Sequence, residues 1–302
     1  MYQNKGNKAT RFGFGEGVVS LGHKYSNTVV LGADITASVS LNGFAEVFPN
    51  RFYSLGIAEQ NVVGVATGFA LSGKLPILST YGVFAAMRTA DQVRISVCYN
   101  DANVKIGGGH SGITVGPDGA THQALEEMSL LRAMPNMTLI VPADYLEAKR
   151  ATIAVGAMHG PAYIRFGRSA VPLFTTEEMP FEIGKANVLI DGKDIAIIAC
   201  GLTVWESVKA AEVLKTKHGI SARVINNHSI KPIDVETITR AAMDCGAIVT
   251  AEEHQVHGGL GAAVAEVVVK NYPVPMEFVG VRDTFGTSGE PDELVAKFSL
   301  SS

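Results

Sequence analysis

Short apolar runs rich in β-branched residues alternate along this chain with longer amphipathic stretches. TVVLGADI, FYSL, KLPILST, NVKIGGG, MTLIVP and AYIRF all have strand length, and segments of helical spacing such as ALEEMSLLRAM separate them. The alternation predicts a mostly parallel sheet with helices on both faces, whose ligand sites lie at the strand ends. One stretch, Arg51 to Arg94, organises the rest. A strand over Phe52 to Leu55 leads into a helix over Ala58 to Leu71, followed by a strand over Leu75 to Thr80, with Tyr81 and Phe84 just beyond. Glu59 stands at the helix start in apolar company, and Gly64 and Gly68 share one helix face that another helix could approach closely.

From Gly167 to Phe181 the pattern breaks into GRSAVPLFTTEEMPF, rich in turn formers and acids, which predicts an interdomain linker. A second set of alternations follows. It comprises DIAIIA, a helix from Thr203 to His218, SARVINN, a helix after Asp234, AIVTAEE, a helix after Gly259, and PMEFVGV. The expected architecture is therefore α/β with two domains, residues 1–175 (including the start of the linker) and 176–302.

Composition narrows the class. With 302 residues, 47% of them hydrophobic, the chain can bury two cores. The N-terminal MYQNKGNKATRF has no apolar core, and no run approaches the roughly 20 apolar residues of a membrane span, so a soluble cytoplasmic protein is expected. Net charge −4 without a basic block gives no footprint for nucleic acid. Cys98, Cys200 and Cys245 are odd in number and lack metal spacing, and are expected as buried free thiols.

Two places carry candidate chemistry. Glu59 sits at a helix N-terminus, where an acid often does no more than stabilise its helix. The loop in NVKIGGGHSGITVGPDGATHQALEE follows a strand end and supplies His110, Asp118 and His122, candidate acid/base or substrate-orienting groups. The spacing of the two histidines fits no usual zinc set.

GIAEQNVVGVATGFALSGKLPILSTYGVF, DQVR, GGGHSGITVGPDGATHQALEEMSLLRAMPNMTLIVPAD and IRFGRS, in this order, resemble the C-terminal half of transketolase. The resemblance runs from about Ala9 to the end and covers the pyrimidine-binding and C-terminal domains. It implies thiamine diphosphate as cofactor. Glu59 resembles the glutamate that bonds N1′ of the aminopyrimidine and so promotes loss of the thiazolium C2 proton, and Tyr81 and Phe84 match the aromatic positions around that ring. His110, Asp118 and His122 match groups holding the donor sugar, with the two histidines as proton handlers. Arg11, Ser38 and Arg168 match the residues gripping the substrate phosphate, and Asp34 matches an active-site aspartate. In the second domain AEEHQVHGGLGAAVAE resembles the family's Gly-rich helix start, whose N–H groups could hold an anion near Glu252, Glu253, His254 and His257; packing and subunit contact is the plainer role.

The GDG motif with a downstream Asn that holds Mg²⁺ and the diphosphate in this superfamily is missing. PDG at 117–119 and IDGKD at 190–194 match neither the triplet nor its setting. The resemblance then implies one subunit of a split transketolase. An N-terminal partner would supply the magnesium site, in a heterotetramer acting on sugar phosphates of pentose-phosphate type. Half of a deoxyxylulose-phosphate synthase, a 2-oxoacid dehydrogenase E1 β subunit and a non-catalytic assembly subunit remain as alternatives.

Overall fold

Neighbouring side chains on the same strands point into different cores. Val29, Leu31 and Leu78 belong to one, and Val30, Ile77 and Ile164 to another. This puts a sheet between two helical layers. In the computed structural model, which describes residues 2–302, that sheet has seven strands. Their order is Ser229–Lys231, Thr138–Ile140, Ala162–Arg165, Lys105–Gly109, Leu75–Tyr81, Thr28–Gly32, Phe52–Ser54. Every adjacent pair is parallel except the outermost, where Ser229–Lys231 runs antiparallel to Thr138–Ile140. Thr28–Gly32 and Lys105–Gly109 are buried at every residue, as strands covered on both faces must be.

Helices Thr10–Lys24 and Tyr145–Ala157 pack together in one layer, and glycine decides how closely. A Cβ on Gly13 would lie 2.1 Å from the Tyr145 carbonyl oxygen, and one on Gly17 2.6 Å from Thr152 Cβ. The other layer holds Glu59–Leu71, Glu127–Ala133 and an irregular helical run from Phe84 to Tyr99, with π-type turns at Phe84–Arg88 and Val93–Tyr99.

The second domain is a five-stranded sheet in the order Met276–Val281, Ile248–Gln255, Ile195–Ala199, Ala222–Asn226, Asn187–Ile190, parallel except for the last strand. Asp234 caps helix Val235–Cys245 by accepting from Thr237 N, and Gly246 ends it at φ 71°. The α-helix expected to His218 runs over Thr203–Val213 and continues as a π-type turn over Leu214–His218. Ile198, Ile225 and Val264 of this domain join Leu131, Met134 and Leu139 of the first in one core. Cys98, Cys200 and Cys245 are free and buried. Among the described residues, no helix is long and apolar enough to cross a membrane.

Two features depart from the expected organisation. Within the expected linker, Ala170–Pro172 pairs antiparallel with Asn7–Ala9, so the chain start is tied to the exit of the first domain. Ser229–Lys231 crosses back to extend the first domain's sheet. Both strands are three residues long, too short for hydrophobic periodicity to register.

Candidate active site

The parallel strands of the first sheet end at one rim, and the sequence after five of the six ends carries candidate chemistry. Gly32 leads to Asp34, Ser54 to Glu59, Tyr81 to Phe84, Gly109 to His110 and Arg165 to Arg168.

Glu59 opens helix Glu59–Leu71 after Gly56 at φ 74°, and its carboxylate is 4% exposed. It is paired. Arg88 Nη1 donates to Glu59 Oε1 at 2.8 Å, and the Arg88 guanidinium lies 4.1 Å from the Phe84 ring centroid. Sequence reasoning missed Arg88. The available signal was its place four residues after Phe84, but a regular helix would not predict the π-type turn over Phe84–Arg88.

The rings form a second group. Tyr81 lies 4.5 Å from His110 and 5.7 Å from His122, and Phe84 meets His122 edge-on at 5.4 Å. His110 adopts a left-handed backbone at φ 53°, a conformation that costs a non-glycine residue energy and clusters at functional sites. Its ring is buried, and among the described residues Nδ1 has no partner. Burial, then the charges of Arg11 and Arg168, push the His110 pKa down to about 4, so the imidazole is neutral at pH 7. His122 Nδ1 shares a hydrogen bond with Thr121 Oγ1 at 2.9 Å.

Arg168 Nη1 donates to the Val115 carbonyl at 3.0 Å and to Asp118 Oδ2 at 3.3 Å. Arg11 Nη1 donates to the Ser38 carbonyl at 3.2 Å, while its buried Nε has no partner among the described residues. Burial and the nearby charge of Arg168 pull Arg11 below its usual pKa. Two guanidinium groups held close enough to repel each other favour an anion between them. Asp34 is exposed at the end of its strand with φ 64°. Of Ser38, it is the backbone that touches Arg11.

The Gly-rich helix start of the second domain is not open to an outside anion. Glu252 occupies it, accepting from Leu260 N and Gly261 N at 2.8 Å each. Next to it lies a buried charge network joining both domains. Arg165 Nε donates to Glu127 Oε1 at 2.6 Å, Arg165 Nη1 stands 3.9 Å from Glu253 Oε2, and His254 Nε2 is 3.9 Å from Glu127 Oε2. Burial raises the pKa values of Glu252 and Glu253. These residues knit the domains, which fits the packing role expected from sequence.

Comparison with known proteins fits this layout. Residues 7–173 match the family model for the transketolase pyrimidine binding domain, and residues 184–302 match that for the transketolase C-terminal domain. A putative transketolase C-terminal section from Methanocaldococcus jannaschii is 43% identical over 296 residues, which cover 97% of this chain and 92% of that protein. A 6-deoxy-6-sulfo-D-fructose transketolase subunit from a Clostridium species is 42% identical over 278 residues, covering 92% of this chain and 86% of that one. Among solved structures, a split gene transketolase described as an inactive beta4 tetramer superposes with a TM-score of 0.90 at 44% identity, covering 98% of this chain and 95% of that chain. Two domain matches in series, relatives matched over most of their length and a shared fold lead to one conclusion: the chain belongs to the transketolase family and consists of that family's pyrimidine-binding and C-terminal domains.

Proposed function

We propose that the chain is the C-terminal subunit of a thiamine-diphosphate-dependent transketolase that moves a two-carbon ketol unit from a ketose phosphate to an aldose phosphate. The observation that carries this reading is a continuous line of contacts. It runs from the buried Glu59 through Arg88 and Phe84 to His122, Tyr81 and His110, with the Arg11 and Arg168 pair beyond.

The residues present fit the pyrimidine end of the cofactor. A buried carboxylate beside aromatic faces suits an aminopyrimidine, because the carboxylate accepts from a ring nitrogen while stacking fixes the ring's plane. When bound, thiamine diphosphate supplies a carbon nucleophile for the donor carbonyl. Glu59 holds the proton at N1′, and Arg88 yields or shares the carboxylate. Tyr81 and Phe84 orient the ring. His110, neutral at pH 7, either donates to or accepts from a sugar hydroxyl, and His122 and Asp118 position the neighbouring hydroxyls. Arg11 and Arg168, with Ser38 touching Arg11 through its backbone, take the anionic end of the sugar, and the carboxylate of Asp34 suits a sugar hydroxyl instead.

Among the described residues, no group of three or more His, Cys, Asp or Glu is arranged to hold a metal. On this reading Mg²⁺ and the diphosphate belong to an N-terminal partner subunit, in a heterotetramer. Support comes from coverage, since the chain accounts for 92% of a relative that is itself called a C-terminal section. Helix Glu59–Leu71 and the turn before it offer the partner an open face: Ile57 and Leu71 are exposed, and among the described residues nothing lies within 4 Å of a Cβ on Gly64 or Gly68. The end group of the sugar is the variable part. A relative named for a sulfo-sugar argues for testing sulfonate as well as phosphate, since a guanidinium pair suits three oxygens on either centre.

The test is reconstitution with a partner that carries the magnesium motif, assayed for ketol transfer from phosphorylated and sulfonated ketoses. The complex should turn over and the chain alone should not. Transfer by the chain alone, or no transfer by the complex from any ketose of either kind, overturns the reading.

A further inference from the structure

The loop that carries His110, Asp118 and His122 has two sides. One presents these groups to Tyr81, Phe84 and Arg168, as described above. The other side rests on the second domain almost residue by residue. Gly112, at φ 87°, leaves space that a Cβ would take from the Glu253 carboxylate at 2.2 to 2.4 Å, and Thr114 N donates to Glu253 Oε1 at 2.7 Å. Ile113 is buried with Leu125, Val281, Leu294 and Leu300, three of which belong to the second domain. A Cβ on Gly119 would stand 2.5 Å from Ser288 Oγ, and one on Gly116 3.3 Å from the Gly289 carbonyl oxygen. His122 hangs from this support, because its N–H donates to the Gly119 carbonyl at 3.0 Å.

Gln123 ties the two sides together. It is 3% exposed, and its Nε2 donates both to the Ile113 carbonyl within the loop (3.0 Å) and to the Thr287 carbonyl of the second domain (2.9 Å). Its Oε1 faces Gly286, where an added Cβ would lie 1.8 Å away. The second-domain segment is itself anchored. Gln255 Nε2 donates to the Thr284 carbonyl at 2.7 Å, and Asp283 N donates to Gln255 Oε1 at 3.0 Å.

We infer that the segment Thr284–Pro291 of the second domain sets the position of the substrate loop, with Gln123 as the positioning residue that transmits it. The inference rests on the transferase reading for what the loop binds, and on the contacts alone for what holds the loop. It gives the second domain a part in substrate affinity through the loop it supports.

The test is a double-mutant cycle in the full chain between Gly286→Ala and Gln123→Ala, read by hydrogen exchange over residues 112–123 and by steady-state kinetics of the reconstituted complex. Gly286 does not adopt positive φ, so alanine is tolerated by the backbone and its methyl acts on Gln123. Each single variant should lose about tenfold in exchange protection over 112–123 and raise the KM for the ketose about tenfold, with kcat changed less than twofold. In the Gln123→Ala background, Gly286→Ala should add nothing. Gln123→Glu, which loses both donors without leaving a cavity, should show the same KM defect, recovering in part as pH falls and the carboxyl regains one proton to donate. Unchanged exchange over 112–123 in the folded single variants, or additive effects in the double variant, overturns the inference. If the wild-type complex transfers no ketol unit, the transferase reading fails while the exchange cycle still decides the positioning.

Discussion

Glu147 lies at the junction of the two domains and should impose a measurable pH dependence on stability. Its side chain is 1% exposed, with Oε2 accepting from Ala143 N at 2.6 Å and Oε1 from Asn226 Nδ2 at 2.8 Å. Burial outweighs these two bonds and raises its pKa from 4.5 to about 7. A carboxyl raised in the folded state keeps its proton while the unfolded chain releases one, so stability is full below about pH 4.5 and falls as pH rises toward 7. A shift of that size corresponds to about 3 kcal/mol. Glu147→Gln removes the titration. The amide oxygen can accept from Ala143 N, and the amide nitrogen can donate to Asn226 Oδ1, which is buried without a partner among the described residues, once the asparagine amide turns over. The variant should match wild type near pH 4.5 and exceed it by about 3 kcal/mol at pH 8, a rise of roughly 6 °C in Tm for a chain of this size. Urea unfolding of both proteins from pH 4.5 to 8 measures it. Parallel stability profiles for wild type and variant would show that Glu147 does not titrate with a raised pKa.

Other expectations follow from the same geometry. Arg165→Met removes the arginine bonded to Glu127 in a buried network and should cost about 3 to 5 kcal/mol by denaturant unfolding. Because burial already raises Glu252 and Glu253, stability lost through them returns as pH falls and they protonate, so the Arg165→Met deficit should be smaller at pH 5 than at pH 8. Gly13→Val drives a side chain into the Tyr145 carbonyl and should cost at least about 3 kcal/mol or abolish soluble expression, seen by thermal melting. His110, with its pKa near 4, should contribute no ionisation between pH 6 and 8, and NMR titration of its imidazole should find it neutral throughout that range.

Much of the fold was legible because its strands are long enough and buried enough to leave a pattern. Thr28–Gly32, Leu75–Tyr81 and Lys105–Gly109 read as apolar runs, and the second domain's order of strands and helices followed from the same alternation. Ala170–Pro172 and Ser229–Lys231 were invisible, because three residues carry no period and their pairing is set by tertiary contacts. At the site, Glu59 and the histidine loop stood out by position after strand ends. Arg88 did not, since its reach to Glu59 depends on a π-type turn that no local propensity announces. Gln123 reads as an ordinary loop residue until the second domain is folded against it.

On the proposed reading, Glu59 serves a cofactor whose other end is held by a different chain. The direct measurement is calorimetric titration of thiamine diphosphate with Mg²⁺ into the chain alone, into its complex with an N-terminal partner and into the Glu59→Gln complex, with ketol transfer measured at saturating cofactor. The chain alone should bind weakly, the complex tighter by about 100-fold or more, and Glu59→Gln should lose about 10³-fold in turnover even when cofactor is saturating. Equal turnover by the Glu59→Gln complex, or cofactor bound as tightly by the chain alone as by the complex, would contradict that reading.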